Sequence, residues 1–477
     1  MKRLLFLVLV LCPLVHAGSL PQPVAEAIAR GDFRIAQQMI RALLADSSVS
    51  AADALSFSFE CDRLDRIRRD FSLSRDDVVA KLGKYYPDMT DAQLDEFEKT
   101  RALEVMVIDG RKRYFDNAVS NLFLVNREAK RRKELIDGVT TNRLEEFLKG
   151  HVSAILAESR SSKTHRVHPV RMKLRYTLTV QPDAVPDGEI VRCWLPYPRE
   201  DHARQSGVTL LSVDSPEYLI AGNEHEQRSM YLEKRAVKGN PTVFSMELMY
   251  TCSAETYDIF RPGSAAPASD RQNIYDKYTA ERPPHIRFTE EIKNLSRSIV
   301  GDESDPVKKV RLIFAWVSRN IPWASAREYS TIPDISTYCV ENRHGDCGIQ
   351  TMLFMTLCRL NGIPARWQSG WMLHPVEVNL HDWCEIYLDG FGWIPVDQSF
   401  GLQPSNDERA EYFYLGGIDS YRLIVNDDFG TPLYPAKIYP RSETVDFQRG
   451  EVEWRGGNLY FDKWRYKMNV DYVNGDR

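Results

Sequence analysis

The sequence predicts a multidomain α+β protein with a helical N-terminal region, a β-sandwich and then an α+β core. Three observations support this fold class. The hydrophobic period is helical up to about residue 165, it changes to two near residue 166, and helical and strand patterns mix beyond residue 286. The chain has 477 residues, 43% of them hydrophobic, so it can bury several cores. Its net charge of −5 argues against a nucleic-acid-binding chain.

Residues 1–17 have the pattern of a secretory signal peptide. A basic start precedes an apolar run over residues 4–11, and the segment ends in a small-x-small cleavage sequence at Ala17. This run is too short to span a bilayer, and no later apolar run is long enough. We therefore expect a secreted or periplasmic protein with no transmembrane span. Cys12 follows Leu11 rather than a small residue, so lipid anchoring there is not expected.

Residues 18–165 are predicted to form a helical region. Asp32 is a candidate cap for a helix with regularly spaced apolar residues, and Thr90 with Gln93 forms a capping box. The basic run at residues 127–133 allows two interpretations. We favour an exposed helix face, and a docking surface is the alternative.

Residues 166–260 are predicted to form a β-sandwich domain. Apolar and polar residues alternate from Val170 to Val180, which is typical of a half-buried strand, and four further strand-like runs follow. Residues 261–285, rich in proline, alanine and serine, are predicted to be a linker. The α+β core domain is assigned to residues 286–440. A C-terminal β-hairpin extension is assigned to residues 441–477.

The number of cysteines indicates whether disulfides and free thiols are to be expected. Seven cysteines remain once Cys12 leaves with the signal peptide, and an odd number leaves at least one free thiol. Cys193 and Cys252 lie in strand-like runs and could face each other, and export permits disulfides. The sequence does not establish that pair.

Cys347 is the strongest candidate for a chemically active residue. It lies in His344-Gly-Asp-Cys347-Gly348, a segment that opens an apolar helix. The free amides and the dipole at a helix N-terminus favour a thiolate, and such cysteines can have pKa values of roughly 3.5–7.5. The backbone amide of Cys347 could also stabilise an oxyanion. A buried cysteine with no chemical role is the alternative.

His381 and Asp397 are predicted to meet on neighbouring strands. His381 begins one strand-like run, and a turn near Gly390 would return the chain antiparallel to it. Asp397 would then lie beside His381, where a carboxylate can accept a hydrogen bond from the imidazole and fix its tautomer.

These residues belong to a pattern that spans residues 305–400, about a fifth of the chain. Its members are Gly345 to Gly348 around Cys347, Gly362 to Arg366 with Gly370, His381 with Trp383 and Glu385, and Gly392-Trp393 with Asp397. In this order and spacing they resemble the transglutaminase-like core domain of the papain-like cysteine enzyme fold. The resemblance implies that Cys347 is the nucleophile, His381 the general base and acid, and Asp397 the acid that orients the imidazole.

Trp323 is a further candidate that comes from the resemblance. Relatives often have an aromatic residue at this position upstream of the nucleophile, where an indole N–H could be a second oxyanion donor. A core aromatic residue is the alternative interpretation.

The same segment permits a zinc interpretation. His344 with Cys347, and His381 with Cys384, form two His-x-x-Cys pairs that could supply four ligands. Residues 381 and 384 lie three apart in a predicted strand and therefore face opposite sides of the sheet. We accordingly expect no metal and no cofactor.

The sequence therefore predicts an exported cysteine enzyme that cleaves amide or peptide bonds through an acyl-enzyme intermediate. Peptides, proteins or peptidoglycan peptides are the expected substrates, and no nucleic-acid partner is expected. Two alternatives stay open: a true transglutaminase that crosslinks glutamine to amines, and a non-catalytic binding or scaffold module. The multi-barrel architecture of the animal crosslinking enzymes is missing from the sequence pattern, so hydrolysis is favoured.

Overall fold

The computed structural model describes residues 20–261, 263 and 268–473. The predicted signal peptide and Cys12 lie outside these residues. The mixed α+β class is confirmed, with helices first, then β-sheets and an α+β core. None of the helices in the described part of the chain has the length and hydropathy that a bilayer span requires.

The N-terminal region packs short helices around one small hairpin. The capping box at Thr90 and Gln93 is present, whereas Asp32 stands at a helix start without a capping hydrogen bond. The helices are α1 (Gln22–Ala29), α2 (Phe33–Leu44), α3 (Ala51–Asp70), α4 (Arg75–Leu82), α5 (Asp91–Lys99), α6 (Ala118–Val125), α7 (Arg127–Asp137) and α8 (Arg143–Ser162). The hairpin, which the sequence did not predict, joins β1 (Val105–Ile108) to β2 (Arg111–Tyr114).

The middle of the chain forms strands, as the alternating pattern predicts. Along the first of them the apolar residues from Met172 to Val180 point into a core, and the residues between them are less buried. The strands are β3 (Arg166–Val180), β4 (Ile190–Pro196), β5 (Gln205–Val213), β6 (Leu219–Ile220), β7 (Ser229–Arg235) and β8 (Thr242–Thr256).

The core domain builds an antiparallel sheet behind a buried helix. Its elements are α9 (Arg271–Tyr278), α10 (Glu290–Val300), α11 (Pro306–Asn320), α12 (Ile335–Asn342), α13 (Cys347–Leu360), β9 (Ala365–His374), β10 (Glu377–Leu388), β11 (Gly392–Val396), α14 (Glu408–Glu411), β12 (Gly417–Ile418) and β13 (Arg422–Asn426). The strand order is β11-β10-β9-β13. Helix α13 is buried over nearly its whole length against β9 and β10. Most of its residues are apolar, and its buried Gln350 and Arg359 donate hydrogen bonds to carbonyl oxygens of neighbouring segments.

The predicted linker is partly helical. Residues 271–278 form α9, in which Ile274 is buried and Tyr275 and Tyr278 contact aromatic residues of β10 and β11. These aromatic contacts stabilise a helix in a segment whose composition suggested an irregular connection.

The C-terminal strands complete the sandwich, which corrects the predicted division at residue 260. They are β14 (Glu451–Trp454), β15 (Gly457–Leu459) and β16 (Trp464–Val473). The hairpin of β14 and β15 is present, but β14 also pairs with β4, and β16 pairs with β3 along its whole length. One sheet therefore has the order β12-β8-β3-β16 with β5 on β8, and the other β15-β14-β4-β7-β6. Pairing between strands so distant in sequence leaves no local signal.

The core between these two sheets contains Cys193 and Cys252. Both are buried free thiols, so the possible disulfide is not formed in this structure. The same core includes Trp371 of β9 and Leu423 of β13. The sandwich thus packs directly against the sheet of the core domain.

Candidate active site

Cys347 opens helix α13. Asp346 caps this helix, with its Oδ1 accepting a hydrogen bond from the amide of Ile349 at 3.1 Å. The Cys347 side chain is half-buried, and its Sγ donates a hydrogen bond to Oδ2 of Asp382 at 3.3 Å. The local sequence signal therefore places the thiol at a helix N-terminus, as predicted.

The thiol lines a cleft with a cavity volume of about 450 Å³. Three parts of the chain form its walls: the helical region, the core domain around Cys347, and the C-terminal segment from Glu443 to Tyr466. The acidic residues of the lining outnumber its two arginines, Arg327 and Arg449; they are Asp70, Asp116, Glu328, Asp346, Asp382, Glu443 and Asp446. The cleft beside the thiol is therefore rich in carboxyl groups.

The helical region is held to the core domain at this cleft. Asn121 and Ser325 exchange two hydrogen bonds, one from Nδ2 to the carbonyl oxygen at 2.8 Å and one from the amide to Oδ1 at 2.9 Å. The buried guanidinium of Arg66 donates to Glu328 and to Ser330 at 2.9 and 2.7 Å. These contacts fix the helical region as a wall of the cleft.

Trp323 also lines the cleft, and 45% of its surface is exposed. Its backbone forms a parallel bridge with Gly345, two residues before Cys347. This exposure does not fit the alternative interpretation as a core aromatic. Its role as an oxyanion donor stays a prediction.

His381 and Asp397 meet as the strand pattern predicts. Strands β10 and β11 are antiparallel, with Cys384 opposite Val396. The His381 Nε2 lies 2.8 Å from Oδ2 of Asp397. Both side chains are buried, with 4% of His381 and none of Asp397 exposed. A carboxylate at this distance fixes the orientation and tautomer of the ring.

A buried arginine extends this pair. The Arg422 Nη2 lies 2.9 Å from Oδ2 of Asp397 and 2.7 Å from Oδ2 of Asp419. Asp419 in turn lies 3.0 Å from the Nε2 of His374. Arg422, Asp419 and His374 belong to no motif in the sequence, so no pattern pointed to them as part of the site.

The charges around Asp397 keep it ionised. Burial alone would raise its pKa, but His381 and Arg422 together lower the pKa below the ordinary value of an aspartate. Burial lowers the pKa of His381, and Arg422 adds to this effect while Asp397 opposes it. The imidazole is therefore neutral at physiological pH and can accept a proton.

The thiol lies in the opposite environment. Burial, and then the carboxyl groups of Asp382 and Asp346, raise the pKa of Cys347 well above its ordinary value. A unit charge about 4 Å away contributes about 4 kcal/mol at an effective dielectric of 20, whereas a helix terminus contributes at most about 2 kcal/mol. The predicted lowering of this pKa is therefore wrong, because burial and then the neighbouring carboxyl groups outweigh the helix N-terminus.

The structure brings the predicted residues together in two groups. His381 pairs with Asp397, while the hydrogen bond of the Cys347 thiol goes to Asp382, the residue next to His381 in β10. Among the hydrogen bonds of the described residues, none joins Cys347 directly to His381. His381 and Asp382 are adjacent in β10 and therefore point to opposite faces of its sheet. The hydrogen bonds of the described residues thus join His381 to Asp397 and Cys347 to Asp382, and they do not bring the thiol to the imidazole.

The geometry does not support the zinc interpretation. Strand β10 runs without interruption from Glu377 to Leu388, so His381 and Cys384 point to opposite faces of the sheet. Cys384 packs in the core that α13 covers, whereas His381 contacts Asp397. His381 and Cys384 therefore cannot bind one ion together.

Comparison with known proteins identifies the class of the core domain. Residues 293–398 match the model of the Transglutaminase-like superfamily. The chain therefore contains a transglutaminase-like core domain, which confirms the resemblance of residues 305–400.

Two proteins with related sequences match only part of this chain, at low identity. An uncharacterized protein from Haemophilus influenzae is 29% identical over 139 residues, which cover 24% of this chain and 38% of that protein. The uncharacterized protein YebA from Bacillus subtilis is 22% identical over 183 residues, covering 34% of this chain and 24% of YebA. The chain thus spans well under half the length of either relative.

Two solved structures resemble the chain. A proposed cysteine protease from Cytophaga hutchinsonii is 17% identical with a TM-score of 0.42, covering 65% of this chain and 93% of that chain. The periplasmic domain of TgpA from Pseudomonas aeruginosa is 12% identical with a TM-score of 0.28, covering 55% of this chain and 94% of that chain.

Proposed function

We propose that this chain is an exported cysteine enzyme that cleaves amide or peptide bonds, with Cys347, His381 and Asp397 as its catalytic residues. One observation carries the proposal. An imidazole–carboxylate pair, 2.8 Å apart, is fixed on strand β10, and Asp382 of the same strand contacts a cleft-lining thiol at a helix N-terminus. The pattern of residues 1–17 supports export.

The pKa directions define the resting state of the pair. Burial raises the pKa of Cys347 and lowers the pKa of His381, and both shifts favour a neutral thiol beside a neutral imidazole. The thiol therefore loses its proton as it attacks, rather than beforehand.

The reaction then follows in two stages. The Cys347 sulfur forms a bond to the substrate carbonyl carbon while the thiol proton passes to His381. The C–N bond breaks, and the leaving amine takes that proton from His381. Water then attacks the thioester, gives its proton to His381 and releases the acid, and His381 returns this proton to the sulfur. Asp397 holds the imidazole in place and stabilises its cationic form.

Hydrolysis is favoured over crosslinking because the cleft beside the thiol is lined mainly by polar and charged side chains, which admit water. Peptides, proteins and peptidoglycan peptides are the proposed substrates.

A peptide-cleavage assay tests the proposal. We expect the wild-type protein to cleave members of a peptide or peptidoglycan library, and Cys347→Ala to cleave none. A fluorescent primary amine and a glutamine-containing protein, added together, should give little incorporation. Abundant incorporation, abolished by Cys347→Ala, would indicate the crosslinking alternative.

Alkylation distinguishes an enzyme from a binding module. Cys61 is also half-buried and free, so it serves as an internal reference in the same molecule. We expect His381→Ala to slow the modification of Cys347 by iodoacetamide and to leave that of Cys61 unchanged, because the imidazole takes the proton that the neutral thiol loses. An unchanged Cys347 rate in His381→Ala, with no cleavage by the wild-type protein, would indicate the non-catalytic module.

A further inference from the structure

We propose that Asp382 controls the reactivity of Cys347: as a carboxylate it holds the sulfur as a neutral thiol, and as a carboxylic acid it allows the sulfur to become anionic. This inference rests on the proposed function in taking Cys347 as the nucleophile. Asp382 touches the reacting atom, since its Oδ2 lies 3.3 Å from the Cys347 Sγ.

The contacts of Asp382 favour this role. It is 1% exposed, so water does not screen its charge from the sulfur. Its Oδ1 accepts from the Gln448 side chain at 2.7 Å, and its Oδ2 accepts from the Tyr329 hydroxyl at 3.3 Å. Every hydrogen bond that the structure describes at this carboxyl group comes from a neutral donor, so none of them fixes its charge.

Gly348 shows that the contact is built into the helix start. A Cβ atom at this position would lie 2.1 Å from the Tyr329 Oη and 2.8 Å from the Asp382 Oδ2. The missing side chain lets the tyrosine and the carboxyl group approach the first turn of α13, next to the thiol.

The charged and titratable groups around Asp382 are mostly acidic. Asp346 approaches from the start of α13, Tyr329 from the segment before α12, and Asp446 from the segment before β14. The exposed Arg449 lowers the pKa of Asp346, and Arg441 and Arg449 both lower that of Asp446. The cleft therefore favours the neutral form of the carboxyl group that contacts the thiol.

The resulting pH dependence has a definite sign. Burial, then Asp446 and Asp346, raise the pKa of Asp382, so its charge disappears as the pH falls through a value above the ordinary one. The pKa of His381 is lowered, which favours the neutral imidazole. The proton balance is unchanged, because the thiol proton passes to His381 in both states. Only the charge that faces the sulfur differs.

The test measures thiol ionisation in the full chain. Asp382→Asn keeps the size of the side chain and imitates the neutral acid. We expect it to lower the midpoint of Cys347 ionisation, read from the Cβ shift of ¹³C-labelled cysteine, by more than about one pH unit. The alkylation rate of Cys347 at pH 8 should then rise at least tenfold, while that of Cys61 stays the same.

Tyr329→Phe is the matched control. It removes a hydroxyl contact to the same carboxyl group and leaves the charge unchanged, so the midpoint of Cys347 should not fall. An unshifted midpoint in Asp382→Asn, or an equal fall in Tyr329→Phe, overturns the inference.

The wild-type protein gives a second measurement that needs no variant. The carboxyl carbon of Asp382 should titrate above the ordinary range of aspartate, and Cys347 should titrate above ordinary cysteine. A carboxyl group that titrates at or below its ordinary range contradicts the inference, even if Asp382→Asn does not fold.

These readouts separate this inference from the proposed function. A shifted midpoint without peptide cleavage leaves the inference standing and removes the proposed function. Cleavage that needs Cys347, with no shift in Asp382→Asn, removes only the inference.

Discussion

Asp382 and Asp397 are two buried carboxyl groups of the core domain, and their environments are opposite. Asp397 lies between an imidazole and the guanidinium of Arg422, which lower its pKa. Asp382 contacts a thiol, a hydroxyl and an amide, with other carboxyl groups nearby, and its pKa is raised. Burial is common to both, so the identity of the neighbours decides which carboxyl group is charged.

This difference divides the chemical tasks. The ionised Asp397 can stabilise a protonated imidazole during the reaction. The weakly acidic Asp382 can keep the nucleophile neutral until its own charge is lost. Asparagine at either position removes one of these functions and preserves the shape of the side chain.

Asp397→Asn should have the largest effect. Asparagine cannot hold the imidazole in the required tautomer or stabilise its cation, so we expect kcat for peptide cleavage to fall roughly 10⁴-fold. Steady-state kinetics measure this loss. Asp382→Asn is the matched comparison; it removes no contact of the imidazole, so we expect no comparable loss of activity. Equal losses in the two variants would show that the two carboxyl groups do not differ in function.

Arg422→Met should have the next largest effect. It removes the cation shared by Asp397 and Asp419 and leaves two buried carboxylates without it. We expect the free energy of unfolding to fall by about 3–5 kcal/mol, as measured by urea denaturation. Arg422→Lys retains the charge and should lose less. A loss below about 1 kcal/mol in Arg422→Met would mean that the arginine does not stabilise this network.

Gly348→Ala should destabilise the protein by about 1–3 kcal/mol, because the added methyl group overlaps Tyr329 and Asp382. Gly150→Ala in α8 is the control, since a Cβ there meets no atom within 4 Å. Alanine is the better helix former, so this control should gain up to about 1 kcal/mol. Thermal unfolding measures both changes, and a loss of the same size at Gly150 would refute the explanation by overlap.

The smallest effect concerns stability against pH. The folded-state pKa of Asp382 lies above its unfolded value, so the wild-type protein loses stability as the pH rises between these two values. Asparagine does not titrate, so Asp382→Asn lacks this loss. For each pH unit between the unfolded and folded pKa values of Asp382, its free energy of unfolding should rise by about 1.4 kcal/mol relative to that of the wild type. The pKa of Asp397 is lowered, so its stabilisation is lost only on acidification below the ordinary range. Urea denaturation between pH 4.5 and 7.5 measures the free energy of unfolding of each variant relative to wild type. This difference should change with pH for Asp382→Asn and stay constant for Asp397→Asn.

The sequence by itself determined the local parts of the site. Asp346 followed by an apolar run predicts a helix that begins at Cys347, and the strand–turn–strand pattern brings Asp397 to His381 within a short stretch of chain. Such signals are readable because capping and hairpin pairing depend on neighbours in the sequence.

Only the tertiary structure decided which site residues are ionised and which strands pair in the sandwich. Burial acts on both carboxyl groups, but Arg422 lowers the pKa of Asp397 while Asp446 raises that of Asp382, and both residues come from distant segments of the chain. Strand β16 reaches back to β3 across most of the chain to complete the sandwich. The physical reason is the same in both cases: buried charge and strand pairing depend on what lies within a few ångströms in space, and no local pattern records it.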